Sequence, residues 1–396
     1  MARFALDLRH VLAALSALAA GAVGLVGEQR PTEHATSPTF TAVSAGGRHT
    51  CGVTAAGAAY CWGTNGSGQL GDGTTTERSI PALVGRGVRF TAVSAAGSQG
   101  ADDGHTCGVT TAGAAYCWGD NSNGQLGDGS TTNGSSPVPV AGGLRFAAVS
   151  AGYLHSCGVT PTGAAYCWGS NGDGQLGDGS KIDQSSPVPM RSGVSFAVVS
   201  AGVLHTCGVT AGGASYCWGF NRNGQLGNAI PGQEACAHPS CTTVAGRASF
   251  VAVSASAFHT CGVTAAGAAY CWGLNNYGQV GDGSTTNRSS PARVAGGMRF
   301  TAVSAGGMHT CGITAGGGAH CWGLNSDGQL GDGSTTNRSS PVSVAGGLSL
   351  VAVNAGGRHT CGLTASGAAY CWGQNGSGQL GDGTRTNRSS PVPVVR

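Results

Sequence analysis

The chain has 396 residues, of which 73 are glycine and only 9% are charged, and its formal net charge is +3. No cluster of Lys or Arg occurs, which disfavours binding dominated by nucleic-acid phosphates. No long segment has helical periodicity, and strand-favouring residues are spread evenly, so the composition is that of a turn-rich, all-β protein. Lys181 is the single lysine among 20 basic residues; with the Ala and Gly excess, this points to a high-GC bacterial genome.

Residues 1–27 read as a secretory signal peptide: Arg3 and Arg9 precede an apolar run from Val11 to Val26, with small-residue sites such as Ala20 and Ala22. A run that short, broken by Gly21 and Gly24, is short for a membrane span, and no later one follows, so the mature form is expected to hold no stable span. Residues 28–39, with Pro31 and Pro38, form a linker.

From Phe40 onward one unit repeats. The stretch HTCGVTAAGAAYCWG at residues 49 to 63 recurs from His105, His155, His205, His259, His309 and His359. A period near fifty overrides any domain count taken from length. The repeats run near 40–89, 90–145, 146–195, 196–249, 250–299, 300–349 and 350–396. Each holds a strand A (FTAVS in repeat 1), a strand B from His49 to Thr54, a tight turn, a strand C from Ala58 to Gly63, a Gly-rich loop, and a Pro-containing strand D. Proline suits an edge strand, so D lies outermost. Seven four-stranded antiparallel blades give an all-β, seven-bladed β-propeller over 40–396.

The pattern G-x-x-H-[TS]-x-x-x-T-x-x-G-x-x-Y-x-W-G-x-N-x-x-G-Q-L-G, seen from Gly356 to Gly381, resembles the repeat of the regulator of chromosome condensation superfamily. The resemblance spans all seven repeats and implies a propeller used for protein contact. It also brings to mind guanine-nucleotide exchange and inhibition of a secreted enzyme, both less favoured here; the leader and cysteines do not suit the nuclear activity. Mode of ring closure stays open, because the chain has no spare strand for an exchanged seam.

Sixteen cysteines, two per repeat plus Cys236 and Cys241, read as a disulfide framework in an exported chain, secreted or at the cell surface. A T-x-x-G-x turn suits a three-residue hairpin loop with Gly in the left-handed region. Thr54 then faces Ala58, and counting back sets Cys51 opposite Cys61 as a non-hydrogen-bonded pair about 4.5 Å apart at Cα. The expected staples are Cys51–Cys61, Cys107–Cys117, Cys157–Cys167, Cys207–Cys217, Cys261–Cys271, Cys311–Cys321 and Cys361–Cys371, with Cys236–Cys241 closing a local loop. Bonds between neighbouring blades are the competing connectivity. Zinc is disfavoured, because C-x9-C is not a ligand spacing. The same register sends Tyr60 and Trp62 to the opposite face, where the seven tryptophans would fill inter-blade cores.

The seven repeated histidines lie on strand B, too far apart to share a metal, and are expected to hydrogen-bond the following loop. The Asp-Gly pairs at Asp72, Asp128, Asp178, Asp282, Asp332 and Asp382 lack alternating oxygen ligands and read as turns. His320 replaces the repeated Tyr and reads as drift. No nucleophile, base and orienter set occurs once, so neither catalysis nor a cofactor is expected.

Function is sought where the period breaks. Repeat 2 inserts residues around Gly97 to Asp103, and repeat 4 replaces its Asp-Gly turn with Asn228 to Cys241. In an up-down blade both connections lie at one end. The candidate partner-binding residues are Ser98, Gln99, Asp102, Asp103, Gln233, Glu234 and His238. The leading expectation is an exported, non-enzymatic scaffold for an unknown protein partner. A glycan-binding propeller is the alternative, thinly supported by Phe220 and Tyr277.

Overall fold

A computed structural model describes residues 37–85, 87–97, 103–191, 193–230, 243–246 and 248–395. The leader at 1–27 lies outside the described residues, as does most of the linker. The rest is a seven-bladed β-propeller of antiparallel sheets. In blade 1 the order is β1 (Phe40–Ala45), β2 (His49–Thr54), β3 (Ala59–Gly63) and β4 (Arg78–Leu83). Blades 2, 3, 5, 6 and 7 repeat it; in blade 4 the described residues give three paired strands, with Thr243 bridging to Tyr216 at the D position.

The hairpin register follows from its turn. Thr54 N donates to Ala58 O at 3.0 Å and Gly57 N to Thr54 O at 2.8 Å, with Gly57 at φ 80°. A left-handed residue there favours glycine. Val53 then pairs with Ala59, Gly52 with Tyr60 and Cys51 with Cys61. Gly52 is bare because the Phe40 ring lies over it: a Cβ there would sit 2.6 Å from Phe40 Cδ1. Phe40 in turn meets Tyr60 edge-on and Trp62 at 5.8 Å between ring centroids.

All seven expected staples form within blades, with Cα atoms 4.0–4.1 Å apart. Cys236 and Cys241 lie outside the described residues. The two faces of each hairpin feed different cores. Cys51, Cys61 and Leu70 pack with Trp118 of blade 2, whereas Trp62 packs with Cys361, Cys371 and Leu380 of blade 7. All seven tryptophans are fully buried. Burying a large ring against the neighbouring blade contributes on the order of 2–3 kcal/mol each, so the hydrophobic term resides between blades.

The ring closes without strand exchange. Every blade amide of the Phe40 type donates to a carbonyl in the preceding B–C turn: Phe90 N to Gly57 O and, across the seam, Phe40 N to Gly367 O, both 2.8 Å. A second ring joins A strands, where a serine hydroxyl accepts the next blade's alanine amide, as in Ala95 N to Ser44 Oγ at 2.9 Å. At the seam Asn354 replaces serine, and its Oδ1 accepts Ala45 N at 2.7 Å. The seam is therefore bonded like the other six joints.

Candidate partner-binding face

The repeated histidines make a third ring and correct the expectation that they bind the following loop. His49 Nε2 lies 2.9 Å from Thr106 Oγ1 of the next blade, and the series runs on to His359 Nε2 and Thr50 Oγ1 at 2.8 Å. Thr106 Oγ1 already donates to Gln69 O at 3.0 Å. With its one proton spent, the hydroxyl must accept, so His49 is assigned as the Nε2–H tautomer. Nδ1 lies behind the A–B turn, where a Cβ on Gly46 would approach it to 3.0 Å. The ring points across the interface, away from the loop, because strand B starts beside that glycine. Burial pushes each of the seven down to about 3. They are neutral structural donors at ordinary pH.

Gln carbonyls are the hubs of this interface. Gln125 O accepts Ser156 Oγ at 3.0 Å and Trp168 Nε1 at 2.9 Å, both from the next blade. Close approach explains the following glycine: a Cβ on Gly71 would stand 2.6 Å from Trp118 Nε1, and its φ is +69°.

The Asp-Gly turns are wired internally. Buried Asn65 accepts Leu70 N at 3.0 Å and donates to Thr74 O and Thr76 O. Asp72 accepts Thr74 N at 2.9 Å and Arg78 Nη2 at 2.9 Å. Burial alone would raise its pKa, but the Thr74 bonds and Arg78 guanidinium outweigh that and hold it below the usual carboxylate value. These bonds occupy the oxygens that a cation would need. No cluster of three or more potential metal ligands occurs among the described residues. No helix there is long and apolar enough to cross a membrane.

The A–B and C–D connections do share one end. Thr64 N donates to Arg48 O at 3.0 Å, and Phe220 N to Leu204 O at 2.9 Å, tying the start of each C–D loop to its own A–B turn. Of the candidate residues, Asp103 is described; its Oδ2 accepts Tyr153 Oη of blade 3 at 2.5 Å. Ser98, Gln99, Asp102, Gln233, Glu234 and His238 lie outside the described residues. Tyr277 is exposed, while Phe220 is half-buried with Arg222 over its ring at 6.0 Å. His320 meets Phe300 edge-on at 6.4 Å and Ser343 Oγ at 3.2 Å, taking the place of the repeated tyrosine.

A feature missed in the sequence occupies this end. A cavity of about 370 Å³ lies on the axis, walled by the A–B turns of all seven blades. Its signal was present as the small residues before each histidine, such as Ala45 and Gly46.

Closed interfaces of Trp, Gln and His, repeated seven times around an Ala/Gly-walled axis, define a symmetric propeller whose individuality lies in its end loops. The RCC1-like domain model matches residues 100–396, and regulator of chromosome condensation (RCC1) repeat models match 40–69 and 56–101. The chain belongs to the RCC1 repeat family. It is 34% identical over 113 residues to the Protein RCC2 homolog of Danio rerio, covering 26% of this chain and 22% of that protein. The chain thus spans about a fifth of that relative's length. Among solved structures, human WBSCR16 superposes with a TM-score of 0.76 at 21% identity, covering 86% of this chain and 94% of that one. Prp20p of Saccharomyces cerevisiae gives 0.70 at 20%, covering 80% of each. At such identities these likenesses speak for the fold.

Proposed function

We propose that the protein is an exported, non-enzymatic platform that binds a protein partner through the end bearing its A–B and C–D connections. The observation that carries this reading is that the described residues from which the two departures begin, Gly97 in the A–B turn of blade 2 and Asn228, bonded to Asn221 in the C–D connection of blade 4, belong to the connections at that end. Scaffolded loops on a rigid frame are common carriers of recognition. Prp20p, which shares this fold, has binding properties toward Gsp1p and histones, which supports protein contact as a use of the fold. Seven buried disulfides suit an oxidising compartment. Together with the apolar leader they support export.

The test is a pull-down from the extracellular fraction with the mature protein and with a form whose two irregular segments are cut to the length of the other repeats. Partner recovery should fall in the shortened form while its seven staples remain. Unchanged recovery would remove this end from consideration.

A further inference from the structure

Charge is sorted between the two ends of the propeller. Every described Asp and Glu, from Asp72 to Asp382, lies in an A–B or C–D connection. The opposite end is built from the B–C turns and from the D–A connections between blades, which hold no Asp or Glu anywhere in the sequence. They hold arginines instead. Arg89 Nη1 donates to Ala56 O and Arg145 Nη1 to Ala112 O, the latter at 3.1 Å, so each guanidinium is held against the B–C turn of the preceding blade. Arg299 has the same place: a Cβ on the turn glycine Gly267 would lie 3.1 Å from Arg299 Cβ. Further out, Arg293 closes strand D of blade 5 and Arg191 follows that of blade 3. All five are exposed, and among the described residues none pairs with a carboxylate.

The turns of this end are also level. All seven B–C turns have the same length and are closed by the same bond, from Thr54 N to Ala58 O in blade 1 to Thr364 N to Ala368 O in blade 7, both 3.0 Å. Their tips carry small residues such as Ala55, Ala211 and Ala365. Arginines far apart in the sequence are thereby gathered on one flat face.

We propose that this face rests on a membrane surface of anionic lipids, with its guanidinium groups on headgroup phosphates. Arginine meets phosphate through paired N–H donors. A plane of headgroups reaches every turn of a level ring at once, whereas a rod-like duplex would cross it along one line. The B–C turns hold no aromatic side chain on which an unpaired base could stack. They hold no large apolar one to enter the bilayer either, so the attraction is electrostatic and screened by salt. The inference goes beyond the proposed platform, which uses the other end: a chain seated this way presents its A–B and C–D connections away from the membrane.

The test is co-sedimentation of the mature protein with vesicles of phosphatidylcholine, with and without phosphatidylglycerol. Uptake is expected on the anionic vesicles at low salt and release at high salt, with none on phosphatidylcholine alone. The combined variant Arg89→Ser, Arg145→Ser and Arg299→Ser puts at these positions the residue that blades 4, 5 and 7 carry as Ser195, Ser249 and Ser349. Ser195 Oγ donates to Thr162 O at 3.2 Å as Arg145 Nη1 does to Ala112 O, so the fold accommodates the exchange. At an anionic surface each arginine is worth about fivefold in partitioning, so this variant should bind roughly a hundredfold more weakly. Arg288→Ser, Arg338→Ser and Arg388→Ser together remove the same charge from the other end and should leave uptake unchanged. Uptake on phosphatidylcholine alone, no loss in the first variant, or equal losses in the two would overturn the inference. So would stronger capture by duplex DNA or by polyglutamate competing at equal charge, the first assigning the face to nucleic acid and the second to an acidic polypeptide. Vesicle binding with unchanged partner recovery in the shortened form would keep this face and remove the platform; reduced recovery without vesicle binding would do the reverse.

Discussion

Asn354 Oδ1 accepts the backbone amide of Ala45 at 2.7 Å, joining the last blade to the first where the other six joints use a serine hydroxyl. This joint differs from the others because no chain connects its two sides. Asn354→Ala leaves a buried amide without its acceptor, which costs about 1–3 kcal/mol. Ser304→Ala removes the same bond at a covalently linked joint. Hydrogen exchange at Ala45 and Phe40 should accelerate in Asn354→Ala, whereas in Ser304→Ala the change should stay local to Ala355.

Acid should unfold this protein from well above the carboxylate range. The seven histidines fall from an ordinary 6.5 to about 3 through burial, with repulsion from neighbouring histidines adding in several. Because the unfolded chain takes up these protons first, stability is full above about pH 6.5 and is lost progressively as pH falls toward 3. Each histidine contributes a slope of about 1.4 kcal/mol per pH unit within that window. Urea midpoints should drop steeply between pH 7.5 and 5; a flat profile there would contradict neutral, buried imidazoles.

The C–D loops separate two kinds of polar contact. Asn65 is fully buried and holds the Leu70 amide, so Asn65→Ala should cost roughly 3 kcal/mol. Arg78 pairs with Asp72 at 2.9 Å, but its side chain is 39% exposed. Arg78→Ala should therefore cost less than about 1 kcal/mol. Denaturant titration of the two variants checks the order.

The staples should resist reductant while the fold persists. Every described cysteine is fully buried, and Cys51–Cys61 lies under the Trp118 ring of the next blade. Thiol alkylation should find no accessible sulfur without denaturant and every staple open with it. Replacing Cys51 and Cys61 together by Ala should cost less than about 3 kcal/mol, since the closed loop is short. Peptide mapping that found bonds between blades would defeat the register argument.

How much was readable follows from the range of each interaction. The Cys51–Cys61 pairing was legible because a turn at Gly57 fixes register within ten residues. The inward and outward faces of Cys61 and Trp62 followed from strand alternation. His49 was misassigned because its partner, Thr106, lies 57 positions away, and only the ring geometry brings it close. Asn354 carries no signal singly; its partner, the Ala45 amide, lies 309 positions away and is brought close only by the seam. The axial cavity went unnoticed because Ala45 and Gly46 carry no chemistry singly; seven turns meeting on one axis give them a shared wall.

The unswapped seam has a consequence for the history of the gene. Each blade is one contiguous stretch of chain, and Phe40 meets Gly367 as Phe90 meets Gly57. Unequal crossing-over between in-phase copies would add or delete a whole blade and leave every remaining joint with the partners it requires. Copy number in such a lineage can drift in complete steps, limited by the curvature that the axial turns accept.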